Sequence, residues 1–312
     1  MPKAVSVKCH ATSANLGSGF DRCGIALEKP FDVLHARISP SGISSVKNAP
    51  ESRHIVPEVF DKNTCGPVVR KMLADHGIKR GVEIIIEKNI PPASGLGSSA
   101  ATAAGAARAV NELFSLGLSE QKLVSYAALG ETISAGTPHL DNVASAIRGG
   151  FNVASGGRSA KVSRFAPPAG LDCLIVLPEI AKGSTKAARR AIPAQPPRED
   201  VKYNASRRSL LIKGFRNAHI PSIIAGVDDK IVEPAREGAG FLVGLGKLKE
   251  VAEKHGFGAC ASGAGPALLV MGSGNKRQKE LLQREAEKIF AKKGVPVQSW
   301  WTKISEKGTR VL

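Results

Sequence analysis

A glycine- and serine-rich stretch at residues 91–101, Pro-Pro-Ala-Ser-Gly-Leu-Gly-Ser-Ser-Ala-Ala, is the part of the chain best suited to chemistry. Gly95 and Gly97 allow backbone angles and close approaches that a side chain would forbid. Ser98 and Ser99 stand where a following helix would begin, and the free amide groups at a helix start attract phosphate. Their hydroxyl groups add hydrogen-bond donors, or a ligand for a magnesium ion held on that phosphate. The stretch therefore predicts a phosphate-binding loop.

The residues on either side predict the elements that position this loop. The β-branched run Val82–Glu87 is typical of a strand, and the alanine-rich run that ends near Phe114 favours a helix. A serine-capped helix after a plain turn is an alternative explanation of the same pattern. A Walker A loop is excluded because no Gly-Lys-Ser/Thr follows, and the glycine spacing of the Rossmann fingerprint is also absent.

Glu131 is a second candidate, because it shares the apolar face of a predicted helix over residues 120–135 with Val124, Ala127 and Ala128. A carboxylate on the buried side of a helix is unfavourable unless it is paired or binds a metal. From the residues alone, a buried salt bridge and a metal site both remain open.

Three further polar residues, His139, Asp141 and Asn142, follow a helix-breaking Gly-x-Pro within a few positions. A catalytic triad does not fit, because no activated nucleophile lies near and a phosphate loop implies other chemistry. Adjacent residues on a helix point about 100° apart. We therefore expect Asp141 and Asn142 not to face a site in the same way.

Length and composition set the broad class. The 312 residues allow two domains, and 42% hydrophobic with 23% charged residues is typical of a soluble globular protein. No long uncharged apolar run predicts a membrane span, and the first residues lack the core of a signal peptide, so we expect a cytosolic protein. The five scattered cysteines are expected to be buried as small apolar residues, and one intramolecular disulfide between two of them stays an alternative. They are Cys9, Cys23, Cys65, Cys173 and Cys260.

The formal net charge of +17 has three possible explanations. It could steer a nucleotide into a positive cleft, or it could serve nucleic-acid binding. Basic residues are spread along the chain and aromatic residues make up only 4%, so stacking platforms for single strands are scarce. A generally basic, solvated surface is the interpretation that we favour.

The remaining patterns predict alternating strands and helices. Strands are expected at 3–9, 32–38 and 171–177, a strand–turn–strand at 258–271 and a last strand at 295–301. Further helices are expected at 63–75, where Asn63 is the cap, and at 201–214 and 276–293.

Three motifs resemble those of the GHMP kinases. The string Pro-x-x-x-Gly-Leu-Gly-Ser-Ser-Ala-Ala is similar to their phosphate loop, and the glycine turn within 258–271 is similar to their third motif. The string Ser-Ala-Asn-Leu-Gly-x-Gly-Phe-Asp at 13–21 is similar to the first motif of the homoserine kinase family. Other GHMP kinases tend to carry Gly-Glu-His in this region, and it is absent here. The resemblance therefore narrows to the homoserine kinase family.

The resemblance implies an α+β fold of two domains, the GHMP kinase fold. An N-terminal ATP-binding α/β domain like ribosomal protein S5 domain 2 is expected over residues 1–160, and a ferredoxin-like C-terminal domain over 161–312. The nucleotide would lie between them, where clefts usually occur. A homodimer is also implied.

The implied activity is phosphorylation of L-homoserine by ATP with Mg²⁺, in threonine biosynthesis, without a membrane or nucleic-acid partner. The resemblance assigns the metal to Ser99 and Glu131, and catalysis to Ser99, Glu131, Asn15, Asp141 and Asn142. It assigns the nucleotide to Asn63, Lys88, Pro92, Ala93, Ser94, Gly95, Leu96, Gly97, Ser98 and Ser99. It assigns the substrate to Asn15, Asp21, His139, Thr185, Arg189, Arg236 and Gly263.

Asn142 stands where mevalonate kinase has an aspartate base, and an amide cannot take a proton. We therefore predict transfer without a side-chain base, which a loose transition state allows. Two alternatives remain. One is another GHMP kinase of the shikimate or mevalonate type. The other is a non-enzymatic S5-like protein that binds RNA in a salt-sensitive way.

Overall fold

Two β-sheets organise the chain. The computed structural model describes residues 3–135, 140–155, 161–180 and 185–312, apart from the side chains of 134, 135, 185 and 186. The strands are β1 (Ala4–Ala14), β2 (Cys23–Ile38), β3 (Ser45–Asn48), β4 (Val82–Glu87), β5 (Phe151–Ala154), β6 (Val162–Phe165), β7 (Asp172–Pro178), β8 (Gly258–Ala261), β9 (Leu268–Gly272), β10 (Val297–Lys303) and β11 (Arg310–Val311). The helices are α1 (Cys65–Asp75), α2 (Ser98–Leu113), α3 (Glu120–Ala135), α4 (Leu140–Arg148), α5 (Thr185–Arg190), α6 (Arg198–Arg216), α7 (Ile220–Gly226), α8 (Val232–Gly238), α9 (Leu245–Lys254) and α10 (Lys276–Ala291).

The larger sheet has the strand order β11-β1-β2-β4-β3, and β5 and β6 extend it from β2. Its pairs are antiparallel except for β3 with β4. Helix α2 packs against β1 and β2 on one side and against α1, α3 and α4 on the others. This central position explains its composition, because almost every residue of α2 is buried and alanine leaves room for close packing.

The smaller sheet, β10-β7-β9-β8, is antiparallel throughout and is buried on both faces. Along β7 the side chains alternate, as a strand requires. Cys173 and Ile175 belong to the hydrophobic cluster of the larger sheet, whereas Leu174 and Val176 belong to a second cluster with α9 and α10. The smaller sheet is therefore a wall shared by two cores.

The predicted elements are present with shifted bounds. The strand predicted at 32–38 begins at Cys23, and the strand predicted as the last is followed by β11. The helix predicted at 120–135 has those bounds, whereas the first strand runs on from residue 9 to Ala14. The extension pairs with β2 beyond a register shift between His10 and Thr12. The boundary at residue 160 stays a prediction, and β6 and β11 on its far side both add to the larger sheet.

All five cysteines are buried and free. Among the described residues, no helix is long and apolar enough to span a membrane.

Candidate active site

A cavity of about 510 Å³ opens between the two sheets. The loop before α2, the end of β1, the starts of α2 and α4, and the turn between β8 and β9 all line it. Side chains from α3, α5 and α8 complete the lining. The cavity has the size of a typical small-molecule site, and it lies where all three sequence motifs meet.

The glycine-rich loop wraps around the start of α2. Gly97 caps the helix with φ of 63°, and a Cβ at this position would collide with the Thr12 hydroxyl oxygen. The first hydrogen bond of the helix runs from the Ala101 amide to the Gly97 carbonyl at 2.9 Å. The amide groups before Ala101 therefore have no partner within the helix. This arrangement fits a phosphate group.

Ser99 and Glu131 meet at the edge of this loop. The Ser99 hydroxyl donates to Glu131 Oε1 at 2.7 Å, and the Glu131 side chain is buried. Both line the cavity. A hydroxyl and one carboxylate are oxygen donors of the kind that Mg²⁺ uses when phosphate and water supply its other ligands. The pair therefore fits a magnesium ion carried by a nucleotide.

Lys88 lies beneath the loop with no exposed surface. Its ammonium donates to Asp32 Oδ2 at 2.5 Å, to the Ser98 carbonyl at 2.8 Å and to the Thr102 hydroxyl at 3.1 Å. The other oxygen of Asp32 accepts from two loop amides, Asn89 and Ile90, each at 2.8 Å. An ammonium has three donors, so this cation is fully used in holding the loop against the sheet.

The turn between β8 and β9 closes over the phosphate loop. Its Ser262 hydroxyl donates to the Gly95 carbonyl at 2.9 Å, and the Ala267 amide donates to the Ser94 carbonyl at 2.9 Å. The Gly263 carbonyl accepts from Asn15 Nδ2 at 2.7 Å. The first and third motifs therefore share one wall of the cavity.

Asp21, Arg189 and Arg236 form a charged cluster beside this wall. Both Nη atoms of Arg189 donate to the Asp21 carboxylate, at 2.9 and 2.8 Å. Arg236 is buried and donates from Nη1 to the Gly263 carbonyl at 3.0 Å. The guanidinium carbons lie 5.5 Å (Arg189) and 5.3 Å (Arg236) from the centre of the Phe20 ring. One anion and two cations thus line the same end of the cavity.

Asp141 and Asn142 both line the cavity, although their side chains make different contacts. Asp141 Oδ1 accepts from the Asn142 amide at 2.8 Å, so its side chain folds back over the first turn of α4. Burial raises the pKa of Asp141 to about 7, and the nearby Asp21 and Glu131 carboxylates add to the rise. The Thr12 hydroxyl donates to Asn142 Oδ1 at 2.7 Å. The Asn142 NH₂ group makes a long hydrogen bond of 3.5 Å to Asp141 Oδ1, so one of its two N–H groups is left for a ligand.

Comparisons with known proteins show relatives over most of the chain. The family described as GHMP kinases N terminal domain matches residues 63–150. A homoserine kinase of Methanococcus maripaludis is 39% identical over 271 residues, which are 86% of this chain and 88% of that protein. A homoserine kinase of Methanocella arvoryzae is 37% identical over 99% of this chain and 97% of its own length. The chain belongs to the homoserine kinase family. The crystal structure of a homoserine kinase from Cytophaga hutchinsonii superposes with a TM-score of 0.90 at 28% identity, covering 100% of this chain and 98% of that one.

Membership of the homoserine kinase family confirms the predicted GHMP kinase fold and makes the chain an ATP-dependent kinase that acts on a hydroxyl group. It also decides against the alternative of a non-enzymatic protein.

The cavity brings together most of the residues that the resemblance assigned. Those that line it include Asn63 and Lys88 as well as the loop residues Pro92, Ala93, Ser94, Gly95, Gly97, Ser98 and Ser99. Leu96 does not, because its side chain is fully buried in the core. The cap residue of α1 is Thr64, one position after the predicted Asn63. Asn63 instead binds backbone groups nearby, Oδ1 with the Cys65 amide and Nδ2 with the Pro57 carbonyl. His139 and the side chain of Thr185 lie outside the described residues.

Sequence reasoning missed three contributors that the structure shows. Asp32 anchors Lys88, Thr12 orients Asn142, and Phe20 lies against both arginines. Phe20 stands within the first motif of the homoserine kinase family, so its place in that motif was an available signal. Thr12 directly precedes this motif, whereas nothing in the local sequence marks Asp32.

Proposed function

We propose that the protein transfers the terminal phosphate of ATP to the hydroxyl group of L-homoserine, giving O-phospho-L-homoserine. The observation that carries this proposal is the Asp21–Arg189 pair, which lines the same cavity as the phosphate loop. Homoserine is a zwitterion, and its carboxylate and ammonium need partners of opposite charge. A carboxylate and a guanidinium side by side meet both needs.

The phosphate loop supports the nucleotide half of the proposal. The amide groups from Gly95 to Ser99 bind the phosphates, except that of Leu96, which donates to Ser94 Oγ at 3.2 Å. Lys88 keeps this loop in place through the Ser98 carbonyl. Ser99 and Glu131 would hold Mg²⁺, which would neutralise charge on the transferring phosphate. We infer that Lys88 acts by positioning, since each of its donors already has a partner.

The substrate half depends on the charged cluster. Arg189 and Arg236 bind the carboxylate of homoserine, and Asp21 binds its ammonium. Asn15 keeps this end of the cavity in place by joining the Gly263 carbonyl to the Asp21 amide, at 2.7 and 3.1 Å. The NH₂ group of Asn142 donates to the reacting oxygens. No side chain acts as a base, and the proton leaves to a phosphate oxygen or to water.

A coupled assay of ADP release tests the proposal directly. With MgATP, L-homoserine is expected to be turned over, whereas the amino alcohol that lacks its carboxylate and the hydroxy acid that lacks its amino group are poor substrates. A site built for a charged group rejects an analogue that leaves the group unpaired. Equal turnover of shikimate or mevalonate would contradict the choice of substrate.

Substitutions test the two arginines against a matched control. Arg189→Lys or Arg236→Lys is expected to raise KM for homoserine about 5- to 30-fold, because lysine lacks the bidentate fork and 1–2 kcal/mol corresponds to that factor. KM for ATP should barely change. Arg190→Lys is the control, because Arg190 neighbours Arg189 on α5 but does not line the cavity. Equal changes for both substrates would assign the arginines to the nucleotide or to the fold.

The proposal also includes a homodimer in the cytosol. The dimer follows from the family resemblance and the location from the sequence. Sedimentation equilibrium at several protein concentrations tests the dimer.

A further inference from the structure

A second cavity, of about 480 Å³, lies away from the active site, and no step of the proposed reaction uses it. The ends of α2 and α4, the strand β6 and the segment 306–311 line it. Its basic lining consists of five side chains: Arg108, Arg148, Arg164, Lys307 and Arg310. Three acidic residues also line it: Glu112, Glu120 and Glu306. Positive charge is therefore in excess within a space large enough for a small molecule.

Two of the basic residues are held in place by backbone carbonyls. Arg148 donates to the Val162 carbonyl at 2.6 Å and to Glu120 Oε2 at 3.3 Å. Arg164 donates to the Arg148 carbonyl at 3.0 Å and to the Glu306 carbonyl at 2.6 Å. These contacts fix the wall of the cavity, so that its shape does not depend on a ligand.

The other two arginines lack a hydrogen-bonded carboxylate among the described residues. Arg108 is 19% exposed at its side chain, its nearest carboxylate, Glu112, is 3.8 Å away, and its buried Nε has no hydrogen-bond partner there. Arg310 Nη1 lies 3.0 Å from His10 Nε2. Burial lowers the pKa of His10 to about 4, so this imidazole is neutral and accepts the hydrogen bond. Within that part of the chain, Arg310 has no carboxylate contact, and Arg108 has only the long ion pair with Glu112.

The second cavity is joined to the active site by the two helices that form its walls. Helix α2 carries Ser99 in its first turn and Arg108 nine positions later, about 14 Å along the axis. Helix α4 carries Asp141 at its start and Arg148 at its end, about 10 Å apart. The amide and hydroxyl of Thr309 both donate to the Ala146 carbonyl, at 2.7 and 2.8 Å. The segment beside Arg310 therefore binds α4 directly.

We infer that the second cavity binds a small anion through its carboxylate or phosphate groups, and that this binding changes the affinity of the active site through α2 and α4. An oxyanion that contacts Arg108 and Arg310 would supply the counter-charge that Arg310 lacks and would strengthen the weak balance that Glu112 gives Arg108 at 3.8 Å. Guanidinium groups favour carboxylate and phosphate geometry. Such an anion would link the far ends of the helices that carry the phosphate loop and Asn142. Coupling between the two sites must be reciprocal.

The binding test uses inorganic phosphate and succinate as probes. Isothermal titration is carried out at constant ionic strength set with sodium chloride, on the full chain and on Arg310→Gln and Arg108→Gln. We expect saturable binding of at least one probe, weakened about ten-fold or more in both variants, equivalent to about 1.4 kcal/mol. Lys276→Gln on α10 is the control, because it removes one charge at a side chain that is 92% exposed and lies outside the cavity. The probe that binds identifies the group recognised.

Each outcome of the binding test either supports or overturns the inferred anion site. Equal binding by the unsubstituted protein and both arginine variants would place the anion elsewhere, including the phosphate loop, and would overturn the inference. The inference would also be overturned if neither phosphate nor succinate bound more tightly than chloride does. If Arg310→Gln does not fold, as judged by circular dichroism, Arg108→Gln carries the test. None of these measurements needs an active enzyme, so they stand if the proposed substrate is wrong.

The coupling test then measures KM for ATP with and without a saturating concentration of the bound probe. We expect a change in the unsubstituted enzyme and in Lys276→Gln, but none in Arg310→Gln, whose basal kcat stays unchanged. Binding that leaves KM for both substrates unaltered would overturn the coupling.

Discussion

Asp141→Asn tests the electrostatics of the site more sharply than any other substitution. Burial raises the pKa of Asp141 from 3.8 to about 7. Each pKa unit corresponds to about 1.36 kcal/mol, so the charged form is disfavoured in the fold by roughly 4 kcal/mol. Asparagine has nearly the same shape, and its side-chain oxygen can still accept from the Asn142 amide. The substitution therefore removes the unfavourable charge and little else.

The direction of the effect depends on pH. Between about pH 4 and pH 7 the folded protein holds a proton that the unfolded chain has released, so the free energy of unfolding of the unsubstituted protein falls as pH rises. The amide of the variant has no such proton. Asp141→Asn is therefore expected to leave stability unchanged near pH 4 and to raise it by up to about 4 kcal/mol above pH 7.

Urea unfolding of the ligand-free and metal-free protein at several pH values measures this difference. Asp75→Asn is the control of opposite sign, since hydrogen bonds from Lys71 and Tyr126 hold the pKa of the exposed Asp75 below its ordinary value. That variant should be less stable at neutral pH, with the difference shrinking as pH falls through the acid range. A stability gain for Asp141→Asn that did not vary with pH, or a loss above pH 7, would refute the reasoning.

The same variant also tests the proposed absence of a side-chain base. A pKa near 7 suits a general base, and such a base contributes about 10²- to 10⁴-fold to the rate. We expect Asp141→Asn to lower kcat by less than about 10²-fold at saturating substrates. A loss of about 10³-fold or more, in a folded protein that binds both substrates, would make Asp141 the base.

Three further predictions follow from the contacts around the loop. Glu131→Ala is expected to lower kcat at least about 10²-fold at limiting Mg²⁺ while leaving the fold intact, because a metal on transferring phosphate is worth several kcal/mol. Lys88→Met should destabilise the protein by about 3–5 kcal/mol in urea unfolding, because it leaves Asp32 buried and unpaired, and Asp32→Asn in the same chain should recover part of the loss. Thr12→Val should lower kcat with little change in either KM, since it frees the Asn142 amide to turn, and Thr12→Ser should restore activity.

These predictions have clear contrary outcomes. Unfolding of the Glu131→Ala variant would assign that carboxylate to a structural pair. A Lys88→Met variant of unchanged stability would mean that the buried ion pair contributes nothing net. Loss of activity in Thr12→Ser equal to that in Thr12→Val would assign Thr12 to packing against Gly97.

The sequence predicts those parts of the site whose residues lie close together along the chain. The phosphate loop needs a strand, two glycines and a helix start within about a dozen residues, and Glu131 is marked by the apolar face of its own helix. The Asp21–Arg189 pair joins residues 168 positions apart, and Lys88 meets Asp32 across 56 positions. Such pairs depend on which strands and helices are neighbours in space. Local patterns do not carry that information.

The extended end of β1 was missed for a related reason. Residues 11–14, Ala-Thr-Ser-Ala, have no alternating hydrophobic pattern, so periodicity ends the strand at Cys9. In the fold this segment is buried and pairs with residues 24–26, and its small side chains let it pass close to the phosphate loop. Tertiary packing here outweighs local propensity.

The shared wall formed by the smaller sheet limits how the enzyme can move and unfold. One face of β7 packs into the core of the larger sheet, and the opposite face packs against α9 and α10. A hinge that separated the halves would have to expose this apolar core to water, which is unfavourable. Unfolding of either half would expose a face of this wall, which makes a single cooperative transition the expected behaviour.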